Sequence, residues 1–92
     1  VLGDMLELGD ESIKQHSALG TKCSEVKIDA LFSLGKETKA THLNANNVNI
    51  NLHFQNSKEL INSLKFHLKE GDTILFKGSR GMKMEKIISG VF

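Results

Sequence analysis

The sequence predicts an α/β domain: a three-layer, Rossmann-like, mostly parallel sheet with flanking helices. Three observations carry this expectation. Apolar runs at Val1–Gly3, Ile28–Leu34 and Thr73–Phe76 read as buried strands, stretches with apolar residues at helical spacing lie between them, and Gly or Asn marks most junctions. Strands that alternate with helices need crossover connections, and crossovers make a parallel sheet. At 92 residues the chain is long enough for one core and no more, so a single domain is expected over residues 1–92.

Taken in order, the apolar start followed by Gly3-Asp4 fits the end of a buried parallel strand. Asp10 reads as the N-cap of a helix to about Cys23, with Glu11 in the first turn, where the helix dipole favours an acid. Ile13, His16, Gly20 and Cys23 make one face of it. Ile28 to Leu34 is a second strand closed by Gly35, and Lys36 to Leu43 a short helix. The stretch from Asn44 to Asn51 is rich in Asn, which favours caps and turns over helix. A strand from Asn51 to Phe54 then leads to Asn56, a helix cap with Glu59 at the capping-box position. Leu60, Ile61, Leu64 and Leu68 supply that helix's stripe and Gly71 ends it. Thr73 to Phe76 is the strongest strand signal, giving roughly four strands in all. Met84, Ile87, Ile88 and Val91 form the inward stripe of a final helix.

Composition removes several function classes. A formal net charge of +1 with both signs interspersed leaves no electrostatic footprint for nucleic acid or anionic lipid. No apolar run approaches the roughly 20 residues of a membrane span, and no signal-peptide pattern is visible, so a cytoplasmic protein is expected. Cys23 is the one cysteine, which rules out an internal disulfide and argues against a Cys-based metal site. His42, His53 and His67 show no metal-binding spacing. Neither a phosphate loop nor a dinucleotide fingerprint is present, since Gly78-Ser79-Arg80-Gly81 is only G-x-x-G, so independent ATP hydrolysis is not expected.

The passage from Ile74 to Glu85 sets an apolar run against a Gly-rich polar turn and a helix. In open α/β sheets ligands bind outside the carboxyl ends of the strands, which makes this turn the best candidate site. Arg80 offers a planar fork that matches a carboxylate, and Ser79 adds a hydroxyl and an N–H; together they suit the carboxylate of an amino acid or dipeptide. The alternative is that Ser79 caps the helix and Arg80 is a surface charge. Gly78 and Gly81 allow close backbone approach and permissive dihedrals. Lys77 at the strand's end suits substrate or phosphate, although an exposed strand-end Lys is the commoner case. Asp4 and Glu7 follow the first strand, where a carboxylate can accept from a ribose hydroxyl, a basic side chain or an incoming amine. Of the two, Asp4 is the favoured ligand-facing residue and Glu7 the favoured surface residue.

The blocks Gly3-Asp4-Met5-Leu6-Glu7-Leu8-Gly9 and Lys77-Gly78-Ser79-Arg80-Gly81-Met82-Lys83-Met84-Glu85 resemble the carboxy-terminal domain of the Mur ligases. Within that family they are most similar to the kind that adds D-alanyl-D-alanine to UDP-MurNAc-tripeptide in peptidoglycan precursor synthesis. The resemblance implies an ATP- and Mg²⁺-dependent, amide-forming ligase whose phosphate and metal ligands lie mainly in a central domain outside this chain. It implies that Ser79, Arg80, Lys77 and Gly78 serve substrate, and that Asp4 and His16 stand near nucleotide or substrate; sequences of this kind carry a His at that offset. A start without Met on an apolar run, with no Asp/Asn-rich nucleotide-contacting motif, gives the expectation of a domain truncated at its N-terminal end, inactive alone and without catalytic residues of its own. Two other readings remain open here: a non-enzymatic module for a small anion or nucleotide, and the same domain of a sibling Mur ligase.

Overall fold

The computed structural model describes residues 1–92. Three parallel strands, β1 (Leu2–Gly3), β2 (Ala30–Leu34) and β3 (Ile50–Phe54), lie in the order β1-β2-β3. Helices α1 (Ser12–Glu25) and α2 (Lys39–Asn44) form the crossovers between them, and α3 (Ser57–His67) and α4 (Met84–Val91) follow. Because side chains alternate along a strand, β2 feeds a core on each face. Leu31 packs with Leu2, Cys23, Ala45 and Val48 beneath α1 and α2. Phe32 and Leu34 pack with Leu60, Leu64, Met84 and Ile87 beneath α3 and α4. Helices on both faces of one parallel sheet are the three layers expected.

The local signals account for most boundaries. Asn56 caps α3, its Oδ1 accepting from Glu59 N at 2.9 Å, and Leu60 and Leu64 of the stripe are fully buried. Asn51 explains much of the Asn-rich stretch: its Nδ2 donates to the carbonyls of His42 (2.9 Å) and Ala45 (3.1 Å), satisfying the carboxyl end of α2. At α1 the expectation needs correction. Asp10 lies within a 3-10 turn, Gly9–Glu11, and is not the N-cap; α1 starts at Ser12. Its buried face is therefore Ser12, His16, Gly20 and Cys23, which leaves Ile13 at 73% exposure. Gly20 sits where α1 meets α2, and a Cβ there would collide with the carbonyl oxygen of Thr41.

The strand expected at Thr73–Phe76 does not form. The chain reaches the sheet later, at Lys77, which bridges Leu2 in parallel on the side of β1 away from β2. Val1 N donates to Leu75 O (2.8 Å), Lys77 N to Val1 O (3.0 Å) and Gly3 N to Lys77 O (2.7 Å). Lys77 stands opposite Leu2, and the backbone bonds of this region go to Val1 and Gly3. Leu75 is exposed, although its carbonyl accepts from the chain's amino group.

Candidate functional site

Two connections leave the sheet in opposite directions at β1. The chain from β1 passes through α1 to β2 on one side; the chain from β3 passes through α3 and returns at Lys77 on the other. Such a switch point opens a crevice at the carboxyl ends of the strands. Here it brings together the loop after Gly3 and the turn Gly78–Gly81, the two segments that the sequence singles out.

Their contact is held from below by two buried polar residues. Asp4, 5% exposed, places Oδ1 on Thr38 N (2.8 Å) and Oδ2 on Glu37 N (3.1 Å), just ahead of α2. A carboxylate satisfies free N–H groups at the start of a helix and suits its dipole. Gly35 makes room for it, since it has φ +117° and a Cβ there would overlap the Asp4 carboxylate. Asp4 thus anchors the loop, and its carboxylate does not face the crevice freely. His16 is fully buried, with Nε2 3.0 Å from Met5 N and Nδ1 2.8 Å from Ser12 O. Met5 N–H can only donate, so Nε2 accepts and Nδ1 carries the proton to the Ser12 carbonyl. Both ring nitrogens are engaged inside the protein, and His16 is a second anchor of the same loop.

Ser79 joins the two segments. Its N–H donates to Asp4 O (3.1 Å) and its Oγ accepts from Leu6 N (2.8 Å), which leaves the hydroxyl proton as a donor. Its side chain caps no helix. Arg80–Met82 is a 3-10 turn, separated from α4 by Lys83 in left-handed backbone (φ 51°), so the turn does not open the helix directly. Ser79, Met82 and Lys83 already use their N–H groups on backbone carbonyls, which argues against a phosphate cradle here. Gly78 brings two chain segments close, its Cβ position lying 3.1 Å from Gly3 Cα, with no positive φ required.

What remains open to a ligand is a depression of about 370 Å³ lined by Leu6, Glu7, Ser79, Arg80 and Gly81. Arg80 and Glu7 are exposed, and Glu7 holds the left-handed conformation (φ 65°), uncommon for a residue with a side chain. Lys77 is not brought together with them; it borders a larger, mostly apolar groove of about 650 Å³ at the amino ends of the strands, with Val1, Leu64, Leu68 and Leu75. The smaller depression is lined by Glu7, Ser79 and Arg80 among its five residues, whereas the groove is mainly apolar wall.

Beyond α2 the fold also unites two histidines that the sequence left apart. His42 and His53 stack at 5.6 Å, His53 Nδ1 lies 2.8 Å from Ser33 Oγ, and burial followed by the neighbouring His42 pushes the His53 pKa below its ordinary range. A contact between residues eleven positions apart on different elements leaves no local sequence signal. No group of three or more His, Cys, Asp or Glu side chains comes together to hold a metal ion.

The fold and crevice define an α/β module that presents a small polar site at a switch point between two loops. A sequence profile described as "Mur ligase, glutamate ligase domain" matches residues 1–80, and the chain belongs to that family. Among curated relatives, it is 42% identical to the UDP-N-acetylmuramoyl-tripeptide–D-alanyl-D-alanine ligase of Bacillus subtilis over 96% of the chain and 20% of that protein. The ligase of the same name from Buchnera aphidicola of Acyrthosiphon pisum is 40% identical over 96% of the chain and 19% of its own length. That of Escherichia coli is 37% identical over the same two shares. The chain therefore spans about one fifth of the length of these relatives. No solved structure matches it significantly. No helix is long and apolar enough to cross a membrane.

Proposed function

We propose that these residues form part of the carboxy-terminal domain of a cytoplasmic ligase that joins D-alanyl-D-alanine to UDP-MurNAc-tripeptide at the expense of ATP. The reading is supported by relatives of that name matching nearly the whole chain, and by the meeting of Ser79 and Arg80 at the switch-point depression. Arg80 takes the carboxylate of the dipeptide through its fork, and the Ser79 hydroxyl adds a donor. The residue behind them is Asp4, which holds the loop that in turn holds Ser79. With the carboxylate fixed, the amine of the dipeptide is aimed at a tripeptide carboxyl activated by ATP on another domain. Holding two reactants in register recovers association entropy worth roughly 7–11 kcal/mol of barrier. Closure of the domain over its neighbour excludes water from the activated carboxyl. Mg²⁺ would supply charge neutralisation to the nucleotide; no residue of this chain is assigned to it.

The test is steady-state kinetics of the full-length protein with each substrate varied in turn. Arg80→Ala removes a charge-assisted contact of about 1.5–3 kcal/mol, so KM for D-alanyl-D-alanine should rise about tenfold to a hundredfold, with KM for ATP and UDP-MurNAc-tripeptide nearly unchanged. Arg80→Lys should restore only part of the loss, because a point charge cannot reproduce the fork. A rise in the ATP KM instead would assign Arg80 to the nucleotide.

A further inference from the structure

We infer that Glu7 recognises the amino end of the dipeptide, so that Glu7 and Arg80 hold the two poles of one zwitterion. The inference rests on the reading of Arg80 given above. Both residues line the same depression, both are exposed, and neither side chain has a hydrogen-bond partner within the protein. The contrast with Asp4 is informative, because the carboxylate that the fold needs is buried and doubly bonded. Glu7 contributes no such bond, yet it occupies a left-handed backbone position that would suit glycine better. A carboxylate kept at a conformationally unfavourable position, lining the same depression of small-ligand size as a guanidinium, suits an ammonium group. Ser79 fixes the spacing between the poles, since its Oγ takes the N–H of Leu6, the residue next to Glu7, and Arg80 follows it in the chain. Glu7 is a positioning residue. It determines where the nitrogen of the bound, protonated dipeptide sits.

The experiment uses the full-length protein with two probes, D-alanyl-D-alanine and propionyl-D-alanine, the same molecule without its amino group, measured as a competitive inhibitor. Glu7→Gln should weaken the dipeptide by about tenfold and leave the inhibition constant of propionyl-D-alanine unchanged, so that the two affinities converge. Glu7→Gly should lose the same discrimination while its melting temperature stays level or rises, because glycine relieves the left-handed position. That pairing separates ligand recognition from a folding role. Equal weakening of both probes, or no change in either, would overturn the assignment. Arg80→Ala keeps this outcome distinct from the failure of the carboxylate site, since both probes carry the carboxylate and both should weaken together. If Arg80→Ala weakens both and Glu7→Gln changes neither, the carboxylate site stands and the ammonium contact falls. If Arg80→Ala weakens neither, both fall.

Discussion

Asp4 and Glu7 are carboxylates three residues apart in one loop, and the fold treats them in opposite ways. Asp4 is 5% exposed with each oxygen on a backbone N–H, whereas Glu7 is exposed in left-handed backbone and lines one depression with Arg80. The buried anchor sets where the loop goes, and the exposed rim carries charges that no internal partner uses. The same division runs through the histidine and the serine. His16 is engaged at both ring nitrogens, while Ser79 uses its acceptor internally and keeps a donor at the rim. Chemistry-bearing residue types near a crevice thus separate by their hydrogen-bond partners rather than by their identity.

The sharpest way to break this comparison is Asp4→Ala. It removes two charge-assisted bonds and leaves the N–H groups of Glu37 and Thr38 without partners, which should cost the chain about 3 kcal/mol in urea-induced unfolding. Arg80→Ala, measured in the same way, should stay within about 0.5 kcal/mol of the parent. Similar losses for the two would mean that the anchor and the rim are not distinct.

Ser79→Ala sharpens the boundary between them. Its hydroxyl bonds Leu6 N at an exposed position, where water can replace the lost acceptor, so the expected cost is about 1 kcal/mol. In the full-length protein the larger effect should fall on KM for the dipeptide. A stability loss as large as that of Asp4→Ala, with KM unchanged, would move Ser79 into the anchor.

Much of this architecture was legible in the sequence because it rests on local signals. The stripe of α3, Met84 and Ile87 of α4, the Asn56 cap and the turn at Gly78–Gly81 each depend on residues within a few positions of one another, although Ile88, expected to face inward, is exposed. The site was legible in position, since both of its segments were identified, but not in role. Asp4 looked like the ligand-facing carboxylate and Glu7 the surface one; Glu7 is indeed exposed, but the carboxylate of Asp4 is buried on partners that lie more than thirty residues away at the start of α2. The missing strand at Thr73–Phe76 failed for a related reason. Its composition was right, but the one bridge of this region joins Lys77 to Leu2 at the other end of the chain, a pairing that no local pattern announces. Glycines misled least where contact was the issue: Gly20 was placed on the buried face of α1, and the close packing of α2 explains why no larger residue fits.

The smallest effect expected comes from the His42–His53 pair and appears as pH dependence. Burial first, and the adjacent His42 second, lower the folded-state pKa of His53 below its ordinary 6.5; Asp4 and the carbonyl of Gly35 pull the other way, and Lys39 adds to the lowering. The unfolded chain therefore binds a proton at His53 before the folded chain does. As pH falls below 6.5 the unfolded state is favoured, and stability should decline until the folded-state pKa is passed, below which this contribution levels off. Above 6.5 it should be flat. His53→Gln should make the decline between pH 7 and pH 5 shallower in urea titrations of the chain, relative to the parent. His42→Gln removes only the second cause and should flatten it less. If the two variants flatten it equally, the stacked neighbour rather than burial controls His53. If neither does, His53 is charged as readily in the folded chain as in the unfolded one, and its burial carries no cost.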